Sequence, residues 1–192
     1  MLDYPAEATV PVVAIEPAIK PSASSTRSGV VGVLATSQTI ASPGMARLMA
    51  HHGAGVRFVL QACPGLVEQV ERGALDDDAT RSLLHRYIDP LLAEGADTLV
   101  LGCTHYPFLA DAIRSIAGPD VNVIDPAAAV ARQLRHRLLE TQASDAPAGC
   151  GVAGTEQFWS SGPLARAEPV MSALWGRQVR VAALPEAHAR PA

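Results

Sequence analysis

In the run Leu99-Val100-Leu101-Gly102-Cys103-Thr104-His105-Tyr106-Pro107, a thiol, a hydroxyl and an imidazole occupy consecutive positions. A thiol acts as a base or nucleophile only as the thiolate, and an ordinary thiol titrates near about 8.5, so a neighbour must favour the anion. His105 and the N-terminus of a following helix are two such neighbours in one turn. Three chemistries fit these residue types. Proton transfer at carbon needs the thiol as acid and base. A cysteine hydrolase needs the same Cys and His plus an oxyanion hole, which a helix start supplies. A zinc site would need Cys63 and His85 to converge on Cys103 and His105 from separate segments, and no Cys-x-x-Cys pair occurs. Read singly, Cys103 also fits a small buried hydrophobe and His105 a satisfied loop histidine.

The flanking elements decide where these groups point. Thr98 to Leu101 has the β-branched and aliphatic make-up of a buried parallel strand, after Gly95 has ended the preceding helix. Pro107 suits the start of the next helix, Phe108 to Ala117. Cys103 therefore lies just beyond the carboxyl end of a strand, where open α/β sheets bind ligands. Upstream, Val12 to Ile15 and Val30 to Leu34 read as short strands joined by a Ser/Pro-rich linker, Lys20 to Ser28. Ser42-Pro43 caps a helix reaching His52, Gly53 and Gly55 stop it, and Val56 to Leu60 is the next strand. A short helix over Pro64 to Glu71 precedes a longer one that Asp76 to Asp78 open and that runs to Ala93. Strand Val121 to Ile124 leads through Asp125-Pro126 into a helix to Leu139. Ala143 to Gly154 reads as a loop, then Thr155 to Ser160, Pro163 to Leu174 and Gln178 to Ala183 as strand, helix and strand. His188 to Ala192 reads as a frayed tail. Strands alternating with helices imply parallel βαβ units.

Composition narrows the function classes. A net charge of −4 with a single lysine, Lys20, leaves no basic stripe for nucleic acid. Aromatic residues are 4% of the chain, too few for base stacking or a ring-lined cofactor pocket. Three cysteines without disulfide-like spacing suit a reducing compartment. No apolar run is long enough to span a bilayer. These features predict a cytoplasmic protein that binds neither membrane nor nucleic acid.

Gly-Cys-Thr-His-Tyr-Pro after an apolar strand resembles the second-half signature of the glutamate racemases, in the aspartate/glutamate racemase superfamily. Ile15-Glu16-Pro17-Ala18-Ile19-Lys20-Pro21, Gly32-Val33-Leu34-Ala35-Thr36, the stretch Cys63-Pro64-Gly65-Leu66-Val67-Glu68 and Ile124-Asp125-Pro126 follow in the family's order. The resemblance covers residues 11 to 140. It implies an α/β fold with a complete parallel-sheet lobe at 29–125 and remnants of a second lobe at 1–28 and 126–192. It further implies a cofactor-independent interconversion of L- and D-glutamate, supplying D-glutamate for peptidoglycan. Cys103 would deprotonate the L-enantiomer, with His105 tuning it and lending positive charge near the developing enolate. Thr104 and Thr36 would bind substrate, although Thr36 is equally well read as a helix cap. Glu68 matches an acidic family position near the cleft, and on a short helix it also fits a solvated residue. Glu16 is read as a structural pairing group. No cofactor or metal is implied.

The family's first-half strings, Asp-Ser-Gly and Cys-Asn-Thr, do not occur in these residues. Neither Cys63 nor Cys150 sits in a segment resembling the missing one. The chain therefore reads as a start-truncated racemase with little activity alone. Its uncovered apolar face and open sheet edge would favour self-association into a homo-oligomer. Two other readings remain: an inactive dicarboxylate-binding or interaction remnant, and an aspartate racemase.

Overall fold

A computed structural model describes residues 13–52, 55–145 and 155–185. In chain order the elements are α1 (Ile19–Ser25), β1 (Val30–Ala35), α2 (Ser37–Ile40), α3 (Pro43–His52), β2 (Arg57–Ala62), α4 (Leu66–Glu71), α5 (Asp78–Ala93) and β3 (Thr98–Leu101). They continue with a 3-10 turn at Tyr106–Leu109, α6 (Ala110–Ala117), β4 (Asn122–Ile124), α7 (Ala127–Asp145), β5 (Phe158–Ser160), α8 (Leu164–Trp175) and β6 (Val181–Ala183). The chain is α/β and falls into two units, one of residues 1–70 and 74–146, the other of 71–73 and 147–192. Among the described residues no helix is long and apolar enough to cross a membrane.

In the first unit four parallel strands run in the order β2-β1-β3-β4. The central strands are buried almost throughout, as strands covered on both faces must be: Val31 to Ala35 of β1 and all of β3. Leu84, Ile88 and Leu91 of α5 are fully buried, as is Ile113 of α6. Gly32 is required by this packing. A Cβ there would stand 2.7 Å from Leu99 Cδ2 and 2.8 Å from Leu91 Cδ1.

Three expectations fail here. Residues 13–18 form no strand, and Val12 lies outside the described residues. A strand needs a ladder partner, and no described strand pairs with this segment. Lys20 to Ser28 is not a plain linker, because α1 occupies most of it. Its serines turn back on the helix, with Ser22 Oγ donating to the Ile19 carbonyl at 2.8 Å and Ser24 Oγ to that of Lys20 at 3.2 Å. Pro21 falls in the first turn, where no N–H is needed, and Ile19 is buried in the core with Val31, Val33, Met45 and Val100. The helix after β4 also extends past Leu139 to Asp145, which shortens the loop expected from Ala143. Residues 146–154, with Cys150, and the tail from His188 lie outside the described residues.

The second unit pairs β5 with β6 in parallel beside α8. Glu168 Oε2 accepts from the Val181 N–H at 3.0 Å, and Ser172 Oγ from that of Val179 at 3.1 Å. Phe158 meets Trp175 edge-on, with ring centroids 5.3 Å apart.

Candidate active site

The register sets the site. Leu34 of β1 lies beside Leu101 of β3, and the Gly102 N–H donates to the Leu34 carbonyl at 2.8 Å. The two strand exits, Thr36 and Gly102 to His105, therefore emerge side by side. Close approach is why residue 102 is glycine. A Cβ there would be 3.0 Å from both the Ala35 Cβ and the Leu34 oxygen.

Cys103 is half-buried beyond the end of β3, with its Sγ 3.9 Å from His105 Nδ1. His105 precedes the 3-10 turn, in which Pro107 occupies an early position. Both residues, together with Thr104 and Thr36, line a cavity of about 400 Å³. Thr36 also caps α2: its Oγ1 accepts from the Thr39 N–H at 3.2 Å and shares a hydrogen bond of 2.9 Å with the Thr39 hydroxyl. Capping and lining the cavity are thus compatible roles.

Glu68 falls in the first turn of α4 and is exposed, but it is not among the residues lining the cavity; its neighbour Val67 is. Two polar lining residues, Thr39 and Glu16, lie outside the candidates that the sequence offers for the site. Thr39, three residues beyond Thr36, was detectable as the second hydroxyl of a helix-start turn. Glu16, a structural pairing group by sequence, is exposed, makes no ion pair among the described residues and lines the same cavity. No Lys or Arg side chain is among the residues lining the cavity. A bound carboxylate would rest on hydroxyls, His105 and backbone N–H groups. Among the described residues no three His, Cys, Asp or Glu side chains are grouped to hold a metal ion.

Beneath the site lies a second thiol of different character. Cys63 is buried and its Sγ donates to the Gln61 carbonyl at 3.3 Å. Burial pushes this thiol up to about 12, offset in part by a backbone contact from Ala35 and reinforced by Cys103. Two buried phenols fix the turn that follows. Tyr87 donates to the Pro64 carbonyl at 2.7 Å and Tyr106 to that of Cys63 at 3.4 Å. The Cys-Thr-His-Tyr string thus carries the site residues and also one of the ties to the loop that leads into α4. Burial, with smaller contributions from the neighbouring thiols, pushes the Tyr106 phenol well above its ordinary range, so it remains a donor.

A parallel sheet with a thiol and an imidazole at the exit of a central strand defines an α/β protein with a cysteine–histidine site at the carboxyl end of its sheet. Residues 5–134 match the Asp/Glu/Hydantoin racemase family, and the chain belongs to it. It is 49% identical over 177 residues to the glutamate racemase of Ectopseudomonas mendocina, covering 90% of this chain and 64% of that one. It is 49% identical over 180 residues to that of Methylococcus capsulatus, covering 94% and 65%. Among solved structures it resembles Escherichia coli glutamate racemase in complex with L-glutamate and the activator UDP-MurNAc-Ala, with TM-score 0.74, 28% identity and coverage of 91% and 65%. It also resembles glutamate racemase isoform RacE1 from Bacillus anthracis, with TM-score 0.73, 26% identity and coverage of 88% and 62%. The chain spans just under two thirds of the length of these relatives.

Proposed function

We propose that this chain carries one catalytic face of a cofactor-independent glutamate racemase. The observation that carries the reading is the half-buried Cys103 thiol, 3.9 Å from His105 Nδ1, in a cavity it shares with Thr36 and Thr104. Cys103, as thiolate, takes the Cα proton of L-glutamate, and the C–H electron pair spreads into the α-carboxylate. His105 and the hydroxyls of Thr104 and Thr36 offset the charge that develops there. Return of the proton from the thiol to the same face restores L-glutamate. Inversion needs a donor on the opposite face. Among the described residues no second thiol lines the cavity. Glu68 is a candidate to assist this chemistry from α4.

Residues 29–125 carry the four-stranded sheet of the lobe in this reading, with α1 packed into its core through Ile19. The role that follows is supply of D-glutamate for peptidoglycan in the cytoplasm. A homo-oligomer is the assembly that the exposed apolar residues of α7 support.

The test is incubation of the 192-residue protein with L-glutamate in D₂O, following Cα exchange by NMR and D-glutamate by chiral chromatography. The expected result is slow exchange that Cys103→Ala abolishes, with D-glutamate far below an enzyme's yield. Positioning by an opposing face is worth several powers of ten in rate, since orientation supplies roughly 7–11 kcal/mol. Abundant D-glutamate would refute the one-faced reading, and exchange that survives Cys103→Ala would refute the role of the thiol.

A further inference from the structure

We infer that Tyr87 is a positioning residue for the candidate site: from α5 it holds the turn that starts α4, and so sets how far the α4 wall of the cavity stands from Cys103. The inference rests on the reading of that cavity as an amino-acid site. Tyr87 is 6% exposed, and its hydroxyl donates to the Pro64 carbonyl at 2.7 Å. It is not among the residues lining the cavity, so it acts through the turn rather than on a bound molecule.

The turn needs such a hold. α4 has six residues, too few for a helix to be stable in isolation, so its direction comes from ties to its surroundings. On one side the Cys63 N–H donates to the Ala35 carbonyl at 3.0 Å, which ties the turn to β1. On the other side α5 grips it at two positions one helical turn apart. Leu83 packs against Gly65, where a Cβ would stand 3.3 Å from the Leu83 Cδ1, and Tyr87 takes the preceding carbonyl. Gly65 has φ +91°, a left-handed conformation that carries the chain from the strand exit into the helix.

What the turn fixes bears on the site. Leu66 and Val70 of α4 are fully buried, and Val67 between them lines the cavity with Cys103. Tyr106 ties the same turn from the Cys103 side, donating to the Cys63 carbonyl at the longer distance of 3.4 Å. The successive carbonyls of Cys63 and Pro64 are thus held by phenols from two elements. Freeing the Pro64 carbonyl lets α4 move against the Cys103 turn, while a phenyl ring in place of Tyr87 keeps the packing.

The experiment compares Tyr87→Phe with Thr80→Val in the full 192-residue chain. Thr80 is also buried on α5, and its hydroxyl donates to the Ala74 carbonyl at 2.7 Å, with neither residue lining the cavity. The second variant therefore loses a bond of the same kind from the same helix. Iodoacetamide labelling with mass spectrometry gives two readouts: the rate at Cys63, which the turn shields, and the L-glutamate concentration that protects Cys103. Tyr87→Phe should raise both about three- to tenfold, the effect of one hydrogen bond, and leave Cys103 labelling without glutamate unchanged. Thr80→Val should lower the melting temperature to a similar extent and change neither readout. Equal changes in both variants, or a Tyr87→Phe in which either readout stays at its native value, would overturn the positioning role while leaving the cavity reading intact. If glutamate does not protect Cys103 in the native chain, the cavity reading fails, and the positioning role with it.

Discussion

Two thiols at strand exits on either side of β1 differ because their surroundings do. Cys63 is 2% exposed and held up near about 12 by burial, so it stays protonated and shielded at neutral pH. Cys103 is half-buried, beside an imidazole, and lines an open cavity. Iodoacetamide at neutral pH should therefore label Cys103 well before Cys63, and raising the pH to about 10 should not bring Cys63 forward. Faster modification of Cys63 in the folded chain would remove Cys103 from its role. The same burial has a consequence for stability. Between 9.0 and about 12 the unfolded chain releases a proton that folded Cys63 keeps, so Cys63 contributes a loss of stability as pH rises through that window. At Gly102 the constraint is steric. Gly102→Ala places a methyl 3.0 Å from a backbone oxygen and a neighbouring Cβ. It should destabilise the fold by about 1–3 kcal/mol in denaturant titration, as overpacking does, and slow Cα exchange by shifting Cys103. A neutral Gly102→Ala would show that the strand exits have slack.

At the scale of elements, a connection at the amino ends of β1 and β3, opposite the site, is tied by one carboxylate. Asp97, at the start of β3 and 16% exposed, holds the loop between α1 and β1. It accepts from Thr26 Oγ1 at 2.6 Å, from the Arg27 and Ser28 N–H groups at 2.7 Å, and from Thr98 Oγ1 at 3.0 Å. Burial alone would raise this carboxyl, but the four hydrogen bonds outweigh it and hold it at about 2. A depressed carboxyl stabilises the fold above its unfolded value near 3.8, and that contribution is lost as pH falls from about 4 through about 2. Its size is on the order of 1–2 kcal/mol once solvent screening at the loop is allowed for. Asp97→Ala should show this loss at pH 7 in thermal melts and flatten the acid limb of the stability curve; an unchanged acid limb would sink the assignment. The strands β1 and β3, the capped starts of α3 and α5 and the Cys103 turn were legible in sequence because each rests on local signals: aliphatic runs, Ser42 before Pro43, Asp77 before the helix. Lys20 to Ser28 misled because Ser and Pro signal turns, whereas buried Ile19 and the first-turn position of Pro21 favour helix, and burial is not a local property. Glu16 and Thr39 were missed at the site for the same reason. What they face is set by strand order, which no local pattern encodes.

Across the whole chain, apolar surface remains open in each of the two units. None of α7 from Ala127 to Glu140 is buried, and Leu134, Leu138 and Leu139 are 48%, 50% and 56% exposed. A helix in a folded protein draws most of its stability from packing one face, so a helix this long with no buried residue is short of partners. In the second unit Trp159 and Trp175 are 44% and 52% exposed beside a two-stranded sheet, a size of sheet that is marginal by itself. The 192-residue protein should therefore self-associate in a concentration-dependent way, measurable by sedimentation velocity. Moving each half-exposed leucine into a contact is worth about 1 kcal/mol. Leu134→Gln with Leu138→Gln should accordingly weaken association by about tenfold or more, while the exposure of both positions keeps the cost to folding small. Cys103 labelling should be unchanged in this double variant, which separates a surface effect from damage to the site. A native chain that stays monomeric to about 100 µM would show that these leucines are tolerated singly, as scattered surface apolar residues often are. Association that persists undiminished in the double variant would move the contact away from α7.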